Sequence, residues 1–169
     1  MGTITLISEE TYRRTSYEPD CEYADGVLIE RNVGEREHSW LQLALGAYFF
    51  RRRREWKIEA FTEQRHLIRP GRGMISDVCA IWAPMPAERV FDRPPLVWIE
   101  ILSPEDRPIR VNEKIRELQE FGAANIWIID PETLEAEIHT PEGSCRVADS
   151  VLRVAGTPIE VPLHALEND

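Results

Sequence analysis

Two apolar runs in this 169-residue chain each carry one carboxylate where a neutral side chain would be expected. The first extends from Met74 to Trp82 and holds Asp77. The second extends from Leu96 to Leu102, holds Glu100 and leads straight into Ser103-Pro104. Lys114, one of only two lysines among 20 basic residues, follows in a segment of helical period. An unpaired buried carboxylate is strongly unfavourable, so two acids and a lysine this close to a core need partners. The usual partners are each other and a divalent cation. The chemistry this suggests is metal-assisted hydrolysis.

Asp77 and Glu100 lie 23 residues apart, on neighbouring strands if the intervening loop simply reconnects them. Carboxylates that converge on one point repel, and they recruit Mg²⁺ or Mn²⁺, which take oxygen ligands and waters. Such an ion stabilises charge on a phosphoryl oxygen and acidifies a bound water. On a helical wheel, Val111, Ile115, Leu118 and Gly122 mark the inward face, and Lys114 falls between Leu118 and Phe121. Glu113, Arg116, Glu117 and Glu120 lie opposite, where water is expected. A lysine in an apolar arc commonly snorkels to solvent. This helix, however, directly follows the Glu100 strand and must pack back on the sheet, which brings carboxylates within reach of the ammonium.

The elements that must hold these groups can be read along the chain. Ser8 before Glu9-Glu10 opens a short helix with acids in its first turn. Asp25-Gly26, between two strand-like runs, signals a hairpin. A helix is expected from about His38 to Arg54, with Leu41, Leu45, Tyr48 and Phe49 on one side. Trp40, Leu43, Ala47 and Phe50 lie on another side, which suggests burial on both, the second against another copy of the chain. Lys57 to Arg69 reads as a strand and Pro70-Gly71-Arg72-Gly73 as a turn. Residues 75–82 and 96–102 are continuous apolar runs, as in central strands covered on both faces. A helix follows to about Gly122, then the strand around Asn125–Asp130. The remainder reads as short antiparallel strands on a sheet edge. The expected fold class is a mixed α/β sheet flanked by helices, as one domain over residues 1–169.

Composition sets bounds on partners. The net charge is −10, which argues against coating nucleic acid by bulk attraction. The charge is uneven: residues 1–84 hold 12 Arg/Lys against 13 Asp/Glu, and residues 130–169 hold 2 against 9. Arg51–Arg54, Lys57, Arg65, His66, Arg69 and Arg72 form a basic stretch, which reads equally as a solvated helix end or as a face for a phosphate partner, disfavoured elsewhere. Cys21, Cys79 and Cys145 are odd in number and widely spaced, fitting neither a disulfide framework nor a zinc site. With no secretory leader or membrane-length apolar stretch, a reducing cytoplasm is the expected location.

The ordered set Glu22-Tyr23-Ala24-Asp25-Gly26-Val27-Leu28, Glu37-His38, Ser76-Asp77-Val78, Glu100-Ile101-Leu102-Ser103-Pro104, Lys114 and Trp127-Ile128-Ile129-Asp130-Pro131 resembles the Uma family. These are restriction-type endonucleases of the PD-(D/E)XK superfamily, and the likeness spans nearly the whole chain. It implies a restriction-endonuclease-like core and divalent-metal-dependent cleavage of DNA phosphodiesters. By position, the resemblance makes Asp77 the acid of the Pro-Asp pair and Glu100 the acid of the (D/E)XK element. Ile101 joins them as a metal ligand. Lys114 takes the lysine's place, displaced to the following helix, with Leu102 at the usual site. Glu22 and His38 match two further polar positions near the metal.

Three departures stand out. Ser76 replaces the proline before Asp77, Asn125-Ile126 replaces Glu-Tyr before Trp127, and the segment 109–112 lacks an acid before the lysine. Two other readings are therefore weighed. One is a nuclease-fold module for binding or assembly that has lost catalysis. The other is a metal hydrolase for a small phosphorylated substrate. A homodimer is expected from the doubly apolar helix and from the need for two active sites in a double-strand cut.

Overall fold

The computed structural model describes residues 6–31 and 34–168. Ser8 caps helix α1 (Glu9–Arg14), its hydroxyl accepting from the Thr11 amide at 3.1 Å. Strands β1 (Cys21–Ala24) and β2 (Val27–Glu30) form the hairpin turned by Asp25-Gly26, both in positive φ. Helix α2 spans Arg36–Trp56, a turn longer than the apolar period suggests, and ends on Lys57 in the left-handed region. The long strands β3 (Ile58–Arg69) and β4 (Arg72–Trp82) pair antiparallel along most of their length. Strand β5 (Val97–Ile101), helix α3 (Pro108–Phe121) and strand β6 (Ile126–Ile129) make a crossover that lays β5 and β6 parallel. Proline opens α3 at the position that needs no amide donor, and Gly122 in positive φ closes it.

The main sheet runs β2-β1-β4-β5-β6-β7-β8, with β3 also on β4; β7 is Ala136–Thr140 and β8 is Gly143–Arg146. Every residue of β5 and β6 is buried, as continuous apolar runs require when both faces are covered. One face carries α2, where Leu41, Leu45 and Phe49 meet Val78, Val97, Ile99 and Trp127. The other carries α3, where Ile115 and Leu118 meet Met74, Trp98, Ile126 and Ile128.

One expectation needs correction. Only β7 and β8 extend the sheet edge. Strands β9 (Val151–Arg153) and β10 (Glu160–Pro162) form a separate ribbon, followed by a 3₁₀ turn over Leu163–Asn168. The cause is burial: Leu152, Ile159, Val161 and Leu163 are fully enclosed in the α2-side core, which an edge strand could not achieve. Within the chain, α2 buries only one of its two apolar sides. Trp40, Leu43 and Phe50 remain exposed, Leu43 at 71 %. No helix among the described residues is long and apolar enough to cross a membrane.

Candidate active site

The site forms where β4 and β5 part. Their ladder pairs Ala80, Cys79 and Val78 with Val97, Trp98 and Ile99, and the recorded pairs stop there. One step on, the Ile101 amide donates to Asp77 Oδ2 at 2.7 Å. Asp77 is thus fixed by a main-chain donor of the strand that carries Glu100. It is wholly buried. Its Oδ1 accepts from Arg31 Nη2 at 2.5 Å, and His38 Nε2 lies 3.5 Å from Oδ2. Arg31 also pairs with Glu63, and Gln42 of α2 donates to both Glu63 and the Asp77 carbonyl, the latter at 3.1 Å.

Glu100 projects to the α3 side. Its Oε1 accepts from Lys114 Nζ, and its Oε2 accepts from Trp98 Nε1 at 3.3 Å. Lys114 Nζ also lies 3.7 Å from Glu22 Oε1. Glu22 reaches this side because strand alternation sends its neighbour Tyr23 into the α1 cluster. Arg72 then bridges Glu22 Oε2, at 3.0 Å, and Glu117 Oε2, at 2.8 Å. Glu117 is therefore an ion-pair partner rather than a purely solvated residue.

The five expected side chains fall into two adjoining clusters, Asp77 with His38 and Glu100 with Lys114 and Glu22, which meet through the Ile101 main chain at Asp77. Four more members, Arg31, Glu63, Gln42 and Arg72, were not anticipated. Arg31 ends an otherwise acidic hairpin and Arg72 lies at a turn, so neither stands in an apolar run that would mark it. The usable signal is charge balance: the buried acids at 77 and 100 and the half-buried acid at 22 exceed the single inward lysine.

Electrostatics separate the two central acids. Burial opposes ionisation of Asp77, but the His38 hydrogen bond, the charges of Arg31 and Lys114 and the Ile101 amide outweigh it. They hold its carboxyl below the usual range. Burial dominates at Glu100 and, with the repulsion of Asp77, pushes its carboxyl up to about 7 against the pull of Lys114. Burial also opposes the Lys114 charge, but Glu100, Glu22 and Asp77 more than offset it and keep the ammonium protonated. The Asp77 hydrogen bond raises His38 against burial, while its Nδ1 has no partner among the described residues.

The donor set suits a hard divalent ion. Asp77 and Glu100 present only oxygen, and no three His, Cys, Asp or Glu among the described residues gather into a complete cage. Two carboxylates with main-chain and water oxygens filling the remaining positions is the habit of Mg²⁺. Acids also outnumber cations in the network: Glu22, Glu63, Asp77, Glu100 and Glu117 against Arg31, Arg72 and Lys114.

Known proteins resemble this chain in fold and in family. No curated protein matches the chain. A crystal structure of a putative nuclease belonging to DUF820 from Anabaena variabilis ATCC 29413 superposes with a TM-score of 0.78, covering 95 % of this chain and 97 % of that one. Identity is 22 %, so the likeness shows the fold, a nuclease-like mixed sheet flanked by helices. The profile of the family described as "Uma2: Putative restriction endonuclease" matches residues 9–164. On that span, nearly the full chain, the protein belongs to the Uma2 family.

Proposed function

We propose that the protein is a divalent-metal-dependent endonuclease that hydrolyses DNA phosphodiester bonds. The observation that carries the reading is that the Glu100–Lys114 ion pair stands on the strand whose Ile101 amide, one residue on, holds the buried Asp77 carboxylate. Asp77, Glu100 and the Ile101 main chain would hold Mg²⁺ or Mn²⁺, which when bound supplies charge to the phosphoryl oxygens and acidifies a water. Asp77 is kept ionised by its donors and locked in direction by the Ile101 amide. Lys114, charged and held between Glu100 and Glu22, orients the attacking water and offsets negative charge on phosphorus. The water oxygen bonds to phosphorus, one P–O ester bond breaks, and the departing alkoxide takes up a proton. Glu22 and Arg72 keep the lysine in place, and His38 steadies Asp77. The exposed apolar side of α2 offers a two-fold contact that would pair two such sites.

The test is nicking of supercoiled plasmid by purified protein with Mg²⁺ or Mn²⁺. Asp77→Asn should abolish it, with a far-UV circular dichroism spectrum matching that of wild type at the assay temperature. Equal nicking by both proteins would remove the basis of the reading.

One observation favours a second reading, a nuclease-fold module for binding or assembly. Arg31 already neutralises Asp77, and Lys114 already neutralises Glu100. Titration calorimetry with Mn²⁺ separates the two: an active site takes up the ion in a manner that Asp77→Asn destroys, and a module takes up none.

A further inference from the structure

We propose that a second, arginine-lined groove binds a DNA backbone phosphate away from the point of cleavage; the proposal rests on the nuclease reading. A cleft of about 380 Å³ opens between α1, β3 and the loop before Phe91, lined by Arg13, Arg14, Ser16, Arg65, Glu88 and Arg89. Four guanidinium groups against one lining carboxylate stand out in a chain of net charge −10. Two of the four are committed: Arg13 pairs with Glu9 and Asp92, and Arg14 pairs with Glu10. Arg65 and Arg89 ion-pair with no carboxylate among the described residues.

Both unpaired arginines are held by main-chain structure. Arg65 Nη1 donates to the Tyr12 and Thr15 carbonyls, at 2.9 and 2.7 Å, and its guanidinium lies 5.2 Å from the Tyr12 ring centre. The Arg89 carbonyl accepts from Gln64 Nε2 at 2.9 Å. The loop is further tied to β3 through Phe91 to Arg65 at 3.0 Å and Leu67 to Phe91 at 2.7 Å. A planar guanidinium fixed as that of Arg65 is, beside a second from Arg89 on a tethered loop, suits bidentate capture of phosphate.

Strand β3 carries both the groove's Arg65 and the network's Glu63. Arg65 stands two residues from Glu63, about 7 Å at strand spacing, and Glu63 shares Arg31 with Asp77. A strand whose scissile phosphate lies at Asp77 would run past these arginines. They would fix its register without reading bases.

The test measures binding of the full chain to a labelled short DNA duplex by fluorescence anisotropy, in EDTA to prevent cleavage, across about 50 to 200 mM salt. Arg14 and Arg89 are exposed, so R14Q/R89Q should fold as wild type; R65Q is the second variant, checked by thermal melting because Arg65 anchors α1. Each phosphate contact contributes about 0.9 to the slope of log affinity against log salt. The expected result is a Kd raised about tenfold or more, with the slope shallower by about 1 for R65Q and about 1 for the double variant. Unchanged Kd and slope in R14Q/R89Q, with wild type binding DNA, overturn the groove. So does wild-type protein that binds no duplex even at low salt. Metal-dependent plasmid nicking is scored separately: nicking that survives an unchanged R14Q/R89Q leaves the nuclease reading standing. Weakened binding without nicking sustains the groove and removes the nuclease.

Discussion

Replacing Lys114 by methionine tests whether the lysine is an inward partner or a snorkelling surface residue. The Lys114 side chain is 20 % exposed and that of Glu100 is 11 % exposed, so their pair is largely shielded from solvent. Removing one member of such a pair leaves an uncompensated buried charge and costs about 3–5 kcal/mol. For a chain of this size that is a fall in Tm of about 6–15 °C. The loss should depend on pH in a defined direction. Without the ammonium, burial and Asp77 face only the weaker pull of Arg31 and raise the folded-state pKa of Glu100 further. A raised pKa contributes stability below the unfolded value, near 4.3, and loses it as pH rises through the folded value. The deficit of Lys114→Met should therefore be largest near pH 8 and shrink toward pH 5. Adding Glu100→Gln should recover most of it at pH 8. Urea unfolding of the two single variants, the double variant and wild type at both pH values completes the cycle. A loss below about 1 kcal/mol at pH 8, or an equal loss at the two pH values, would refute the buried pairing.

Three further outcomes follow from the same geometry. His66, packed against Trp98 and Phe91, is held neutral by burial down to about 3. A depressed pKa contributes stability above the unfolded value near 6.5 and loses it as pH falls, at up to about 1.4 kcal/mol per unit. Wild type should thus lose about 2 kcal/mol more than His66→Phe between pH 7 and pH 5 in urea unfolding; parallel losses would contradict the burial. Arg31→Gln removes the cation seated on Asp77 Oδ1, so calorimetry should record Mn²⁺ binding severalfold tighter than wild type, and weaker binding would make Arg31 a support of the metal position. Leu43→Glu places a charge on the exposed side of α2 and should convert a wild-type dimer into a monomer in sedimentation velocity; a monomeric wild type would rule out that contact.

The core strands were legible because burial on both faces leaves an unbroken apolar record, and any charge within it is conspicuous. Asp77 and Glu100 stood out for that reason. The 3.6-residue period of residues 108–121 then placed Lys114 inward, where it meets Glu100. Arg31, Glu63 and Arg72 escaped notice because hairpin ends and half-exposed strands are normally charged, and only the pairing of distant strands makes these three part of the site. The C-terminal ribbon was misplaced for a related cause. Its strands are only three residues long, too short for alternation to reveal whether they extend a sheet or cap a core.

The hydrogen bond from the Ile101 amide to Asp77 gives one side chain two duties. Where the recorded pairing of β4 with β5 ends, the next crosspiece between these neighbours is a carboxylate instead of a carbonyl. The parallel crossover unit and the long antiparallel hairpin are thus stitched together, at their last level, by the group nominated for chemistry. Any residue at position 77 without an oxygen at that point would strand a main-chain donor in a dry interior. Asparagine alone among neutral replacements of similar size keeps the crosspiece, so it silences the site and gives up the Arg31 and His38 ion pairs but not the seam.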